Sequence, residues 1–445
     1  MQQILLIGAG RSSGTLIKYL TDNAKSNDWK LTIADRDFKF LDAEVIDLEG
    51  VDSIEFDVTN ENKRTELVKM ADIVISMLPA RMHIDVARDC VKYKKHMVTA
   101  SYISKEMKAL EEEAKRAGVI IINEIGVDPG IDHLSAMKVI DEIRDGGGTL
   151  RDFETFTGGL VAPESDNNPW NYKFTWNPRN VVLAGQGGTV KFIQEGTYKY
   201  IPYNKVFRRT ERINIKGYGK FEGIANRDSL KYREVYGLED IKTMYRGTLR
   251  RPGFCRAWDS FVQIGATDDS YTIANSENMT YREFINLFLP YNPTDSVELK
   301  LRHYLNLAHD EIELFEKLEW LDLFKEIPIG LKNATPAQIL QKILEQKWTL
   351  GADDKDMIVM WHKFVYEKGS ELFEKHSSMV VKGDDQTHTA MAKTVGLPVG
   401  IAAKMILKGK INEAGIHIPI KKDIYIPVLE ELKEYGIDFN EKDIN

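Results

Sequence analysis

The chain has 445 residues, 43% of them hydrophobic and 29% charged, which suits two or three globular domains each with a core of its own. Its 60 Lys and Arg stand against 68 Asp and Glu, so the net charge of −8 offers no general attraction to nucleic acid or to an anionic membrane surface. Two cysteines, Cys90 and Cys255, exclude a disulfide framework or a CxxC metal site.

Sparse thiols point to a reducing, cytoplasmic location. No HExxH occurs, and no metal is expected. The opening apolar run at residues 4–7 is too short for a leader and lacks a basic flank, and no run approaches a membrane span. Residues 4–7 read instead as a buried strand and residues 13–23 as a helix. Strands at 30–34 and 53–56 come next, then a helix over 62–70. A fourth strand at 73–77 leads to a helix over 84–93 and a fifth strand at 96–99. A helix over 105–117 and a sixth strand at 119–122 complete the series. Such alternation predicts an α/β fold with a doubly wound parallel sheet.

The rhythm changes after Asn123. A helix is expected over 132–144, ended by Gly146-Gly147-Gly148. Residues 153–159, 181–192 and 198–206 are rich in Gly, aromatic and β-branched types, and read as a mixed α/β domain. From 280 to about 368 the pattern is helical. A small-residue helix starts at Ala390, with Gly396 and Pro398 interrupting it, and a last helix covers 428–435.

The first strand runs into Gly8-Ala9-Gly10-Arg11-Ser12-Ser13-Gly14. Gly8 suits a tight turn, and Gly10 lets backbone approach a pyrophosphate seated on the helix N-terminus. Ser13 replaces the third glycine of the usual fingerprint. Asp35 ends the second strand, where an acid normally bonds the adenosine ribose. A 2′-phosphate about 4 Å from it, at an effective dielectric of about 20, would be opposed by about 4 kcal/mol. NAD is therefore favoured, while the neighbouring Arg36 leaves NADP open.

Asp57 and Leu78-Pro79 lie at carboxyl ends of strands, where open α/β sheets bind ligands. Ser101-Tyr102 and the run from Asn123 to Gly130 follow later strands, and Asp128 there is a candidate site residue. Asp132 competes for the helix cap. His133, in the first helical turn, is a weak acid/base candidate, and His96 reads as structural. Arg227, Arg246, Arg250 and Arg251 form a cationic group suited to carboxylates. The aromatic loop 158–176 is either a lid or packed irregular structure.

Several runs resemble the saccharopine dehydrogenase family of the glutamate-forming type. They are VISMLPARMHIDVARDCVKYKKHMVTASYIS (74–104), NEIGVDPGIDHLSAMK (123–138) and GGLVAPESDNNPWNYKFTW (158–176). NRDSLKYRE (226–234), RGTLRRPGF (246–254) and AMAKTVGLPVGIAAKMIL (390–407) follow in the family's order. The resemblance implies an oxidoreductase of lysine metabolism, interconverting saccharopine with L-glutamate and 2-aminoadipate semialdehyde on NAD or NADP. It implies saccharopine contacts at Ser101, Tyr102, Asp128, Arg227, Thr248, Leu249 and Arg250, with Ser101 and Asp128 nearest the chemistry. Cofactor contacts would fall on the turn Gly8, Ala9, Gly10, Arg11 and Ser12, and on Ala34, Asp35 and Arg36. Asp57, Val58, Leu78, Ala100, Val127, Pro129 and Trp176 complete the implied cofactor set. A homodimer is implied too.

The expected division is a Rossmann domain at 1–125 joined by 385–445, a mixed α/β substrate and dimerisation domain at 126–279 and 369–384, and a helical subdomain at 280–368. Saccharopine carries three carboxylates, which an arginine group in an acidic protein would hold, and the hydride is expected from the glutamyl Cα. The reading requires the two halves of the site to share one cavity. A carboxynorspermidine-type imine reductase, which would need an acidic pocket, is one alternative. A non-catalytic redox sensor, which would need the glycine turn alone, is another.

Overall fold

A computed structural model of the chain describes residues 1–38, 50–184, 186, 188–308 and 310–444. Contacts divide it into two compact units. The first comprises 1–150, 355–360 and 366–445, and the second 151–354 and 361–365. The helices at 281–348 thus belong with the second unit, while residues 126–150 and 369–384 belong with the first.

The first unit is built on β1 (Gln2–Ile7), β2 (Trp29–Asp35), β3 (Val51–Glu55), β4 (Ile73–Ser76), β5 (His96–Val98) and β6 (Ile120–Ile122). β4 and β6 are largely apolar and buried at every position, as parallel strands covered on both faces must be, whereas β3 at the edge reads VDSIE and has no buried residue. The order is β6-β5-β4-β1-β2-β3, with every pairing parallel. The chain reverses direction across the sheet between β1 and β4, and ligands of such sheets sit beyond the strand ends at that point. A seventh parallel strand, Gly415–His417, extends the edge beside β6.

Helix Ala390–Leu407 is unbroken, so Gly396 and Pro398 do not interrupt it. The glycines serve packing instead. A Cβ on Gly396 would lie 2.9 Å from Leu16 Cβ, and one on Gly400 would lie 2.6 Å from Tyr19 Cδ1, both on helix Gly14–Asn27. Burial of this contact offsets the ~3 kcal/mol that an interior proline costs. By length and composition this helix passes as a membrane span, which the sequence reading had not allowed, but 78% of it is buried inside the protein. It is a core helix. The expected helix over 105–117 is in fact two, Lys105–Ala109 and Glu111–Ala117. Leu110 N–H bonds back to Met107 at 3.0 Å, a tighter turn that keeps Met107, Leu110 and Ala114 in one core.

The second unit holds β7 (Thr149–Val161, in this unit from Arg151), β8 (Val190–Gln194), β9 (Thr197–Ile201), β10 (Thr210–Ile215), β11 (Gly219–Ala225) and β12 (Thr243–Arg250). β12 pairs antiparallel with β11 and parallel with β7, so the sheet is mixed as expected. Residues 181–192 are not one strand. Helix Pro178–Val182 ends there and β8 begins at Val190, with Gly185 and Gly187 outside the described residues. The helical pattern from Tyr281 stops at Trp348, and Asp356–Lys368 is a strand. Its DMIVMWHKFVYEK is β-branched and aromatic, and burial of both faces hid the alternation that marks a strand.

Candidate functional site

Gly8 has φ +105°, and a Cβ there would lie 2.9 Å from the Met77 carbonyl oxygen, so the turn after β1 needs glycine. A Cβ on Gly10 would meet nothing within 4 Å. The space beside that backbone is open, as the approach of a pyrophosphate demands. Ser13 does the third glycine's work differently: its Oγ donates to the Gly8 carbonyl at 3.1 Å and its N–H to the Gly10 carbonyl at 2.9 Å. Helix Gly14–Asn27 begins with neither a side-chain cap nor an acid in its first turn. Its N–H groups and dipole are left for an anion. These residues fit a dinucleotide.

Asp35 is already engaged. Its Oδ2 accepts from the Ala9 N–H at 2.5 Å, and its Oδ1 from the N–H groups of Arg36 at 2.6 Å and Asp37 at 3.3 Å. Three backbone donors offset the charge that the sequence argument set against a 2′-phosphate. The Arg36 side chain beside it is exposed, and Ala34 is buried in the strand. Asp57 likewise serves its own turn, accepting from Thr59 N–H at 2.9 Å and Thr59 Oγ1 at 2.7 Å; those bonds hold its carboxyl below the usual range. Val58 is buried, and its carbonyl accepts from Arg64, which pairs with Asp89 at 2.8 Å.

Ser101 is not alone at the end of β5. His83 Nε2 lies 2.7 Å from Ser101 Oγ, and His83 Nδ1 lies 2.8 Å from Ser76 Oγ. Burial pushes this imidazole down to about 4, so it is neutral at working pH. Sequence reasoning passed over His83, although its place just past β4 was a signal. Acid unfolding carries a test. Between pH 6.5 and 4 the unfolded chain binds a proton at this position and the folded chain does not, so His83 contributes stability above pH 6.5 that is lost as pH falls to 4. A fall from 6.5 to about 4 corresponds to about 3 kcal/mol. His83→Gln should flatten that part of the stability–pH curve, and an unchanged slope would contradict it.

Tyr102 OH donates to Asp128 Oδ1 at 3.2 Å, so two of the expected substrate contacts do meet. Asp128 is half-buried in a tight loop, Gly126 to Gly130, closed by Gly126 N–H to the Pro129 carbonyl at 2.9 Å. A Cβ on Gly126 would lie 2.9 Å from Ala100 Cβ. Glu124 locks the loop from below. One oxygen accepts from Ile103 N–H at 3.0 Å, and the other lies 2.9 Å from His133 Nε2. His133 is wholly buried in that pair, which removes it as an acid/base candidate. Asp132 accepts from Gly130 N–H at 2.6 Å.

In the second unit, period-2 alternation places Arg246, Thr248 and Arg250 on one face of β12. Arg246 and Arg250 are buried. The Arg250 guanidinium stacks 5.1 Å from the Tyr172 ring and 5.4 Å from the Phe254 ring, and donates to the Leu249 carbonyl at 2.8 Å. Arg250 Nε, Tyr172 OH and Thr157 Oγ1 are buried without a hydrogen-bond partner. Thr157 stands beside Thr248 in the β7–β12 register. Orphaned polar atoms cost ~1–3 kcal/mol each, so the unpartnered Nε of Arg250, stacked on a tyrosine whose own hydroxyl is unpartnered, marks a place for a polar ligand. Thr157 and Tyr172 were not foreseen in this role.

The expected group of four arginines does not hold together. Arg227 is exposed, with φ +53°, in the turn after β11. Arg251 turns away, donating to the Tyr218 carbonyl at 2.7 Å and stacking on Phe221. Leu249 points to the opposite face, fully buried against Gly158, so its side chain is unavailable to a ligand. Trp176 is half-exposed. Loop 158–176 is no lid: Trp170 and Tyr172 are wholly buried and pack with Phe254 and Trp348. Among the described residues no cluster of three or more His, Cys, Asp or Glu could hold a metal.

Residues 4–122 match a family model described as the saccharopine dehydrogenase NADP binding domain, and residues 126–437 one described as the saccharopine dehydrogenase C-terminal domain. The saccharopine dehydrogenase [NADP(+), L-glutamate-forming] of Schizosaccharomyces pombe is 31% identical, over all of both chains. The alpha-aminoadipic semialdehyde synthase of Rattus norvegicus is 34% identical over 99% of this chain, which spans 47% of that protein. The chain is thus about half the length of that relative and of its mouse and bovine counterparts. The apo saccharopine dehydrogenase (L-Glu forming) from Saccharomyces cerevisiae superposes with a TM-score of 0.89 at 31% identity, all of both chains being covered.

Proposed function

The chain belongs to the saccharopine dehydrogenase family, and from that premise we propose that it interconverts saccharopine and water with L-glutamate and 2-aminoadipate 6-semialdehyde, using NADP. The observation that carries this reading is the buried Arg250 face with its orphaned Nε, Tyr172 OH and Thr157 Oγ1. A triply carboxylated substrate supplies the acceptors those donors lack. A polyamine, being cationic, would be repelled there.

Atom balance corrects the expected hydride donor. Glutamate leaves with the amine still on its Cα, so the carbon oxidised is the C6 methylene of the aminoadipate arm, not the glutamyl Cα. A nicotinamide cofactor held at the Gly8–Ser12 turn would supply the acceptor for that hydride. Water then adds to the C6 imine, and the carbinolamine collapses to amine and aldehyde. Ser101, Tyr102 and Asp128 orient the reacting nitrogen and the water, while Arg250 and Thr248 hold carboxylate. Arg227, being exposed, holds a distal carboxylate at most.

NADP rather than NAD is supported by the bonds that already occupy Asp35, by the exposed Arg36 next to it, and by the descriptions of the family model and of the fungal relatives. Arg36→Ala should raise the Michaelis constant for NADP ~10-fold and leave that for NAD unchanged. An equal change in both would sink Arg36 as the phosphate ligand. A homodimer in the cytoplasm remains part of the proposal, the first on family resemblance and the second on two free, buried cysteines. The deciding experiment follows absorbance of the reduced nicotinamide with saccharopine present. A rise with NADP, faster than with NAD, is expected. No rise with either cofactor would overturn the function.

A further inference from the structure

Ser76, His83 and Ser101 come from the end of β4, the start of helix His83–Tyr93 and the turn after β5, and they meet in one hydrogen-bonded row. Thr99 joins it: its Oγ1 accepts the Ser101 N–H at 3.3 Å and lies 3.4 Å from His83 Nε2. Ser76, Thr99 and His83 are buried, and only Ser101 is half-exposed. The row therefore has one open end, at the carboxyl edge of the parallel sheet, where ligands of this fold bind. A buried histidine that merely fills space needs one partner. This one places a hydroxyl within 2.8 Å of each ring nitrogen.

A hydroxyl on a half-exposed turn otherwise samples three rotamers. Here the Nε2 contact selects one, and the Ser76 contact stops the ring from rotating away. A neutral imidazole carries one N–H and one lone pair, so it must donate to one serine and accept from the other. The ring thus fixes both where Ser101 Oγ sits and which role it is left to play toward a ligand.

We propose that His83 is a positioning residue, buttressed by Ser76, that holds the Ser101 hydroxyl in register with the reacting nitrogen and water of the substrate. This rests on the role proposed for Ser101 above. The test is a double-mutant cycle on the full chain, with saccharopine and NADP. His83→Ala and Ser101→Ala should each lower kcat ~10–100-fold, and the double variant should fall no further than Ser101→Ala alone. The Michaelis constant for NADP should not move. His83→Gln, whose amide reaches the Nε2 position, should recover most of the kcat, while His83→Asn, which reaches only Nδ1, should not. Matched unfolding midpoints for the Gln and Asn variants would set folding aside as the cause. Additive losses, or equal activity of Gln and Asn, would overturn the inference while leaving saccharopine turnover intact. Absence of turnover in the unsubstituted protein would overturn the function itself and this inference with it.

Discussion

Arg250→Ala is expected to raise the Michaelis constant for saccharopine ~10–100-fold, while kcat falls only a few-fold and the Michaelis constant for NADP holds steady. The size follows from a charge-assisted hydrogen bond of ~1.5–3 kcal/mol made equally in ground and transition state. Arg250 is 9% exposed and its guanidinium lies over Tyr172 and Phe254, so the group is desolvated and oriented before any ligand arrives. Lysine should not substitute, because an ammonium can neither stack as a plane nor offer the Nε–H. Initial-rate kinetics on the Ala and Lys variants decide it. An unchanged Michaelis constant for saccharopine would remove Arg250 from the substrate.

Gly130→Ala should be more damaging still. The residue has φ +148°, and a Cβ would lie 2.0 Å from the Gly126 carbonyl oxygen and 2.2 Å from the Gly126 nitrogen. Both obstacles are backbone, so the loop that carries Asp128 must move. A loss of ~3 kcal/mol or more in stability is expected, with a fall in kcat of at least ~100-fold. Gly147→Ala is the control: φ is +79° there, but nothing lies within 4 Å of the added carbon. It should cost ~1 kcal/mol and leave kcat alone. Denaturant midpoints and kcat for both variants are the measurement, and a Gly130→Ala protein with normal values would refute the argument.

The parallel sheet could be read from the sequence because β1, β4 and β6 carry apolar runs and short strands alternate with amphipathic helices at regular spacing. Gly415–His417 escaped because it is a three-residue strand far in sequence from the first six, and only pairing with β6 makes it one. The same limit governs the site. Gly8 and Gly10 were visible, since their roles depend on local backbone geometry. The occupation of Asp35 by the Ala9 N–H, 26 residues back, was not, and so the charge argument for NAD misjudged what that carboxylate does. His83 was missed for a like reason: its partners are set by which strand ends lie side by side. Arg251 was grouped wrongly because it lies just past the end of β12, where its side chain turns to the Tyr218 carbonyl, whereas alternation along β12 puts Arg246 and Arg250 on one face.

The strand at Gly415–His417 has a consequence for the order in which this protein can mature. Its partner, Ile120–Ile122, leaves the ribosome long before it. At ~5–20 residues per second, the interval is ~15–60 s, during which a fully apolar strand edge has no mate. The second unit can be translated in full within that interval. The nascent nucleotide fold waits on its own tail, and a chaperone that shields open β edges would have its longest engagement there.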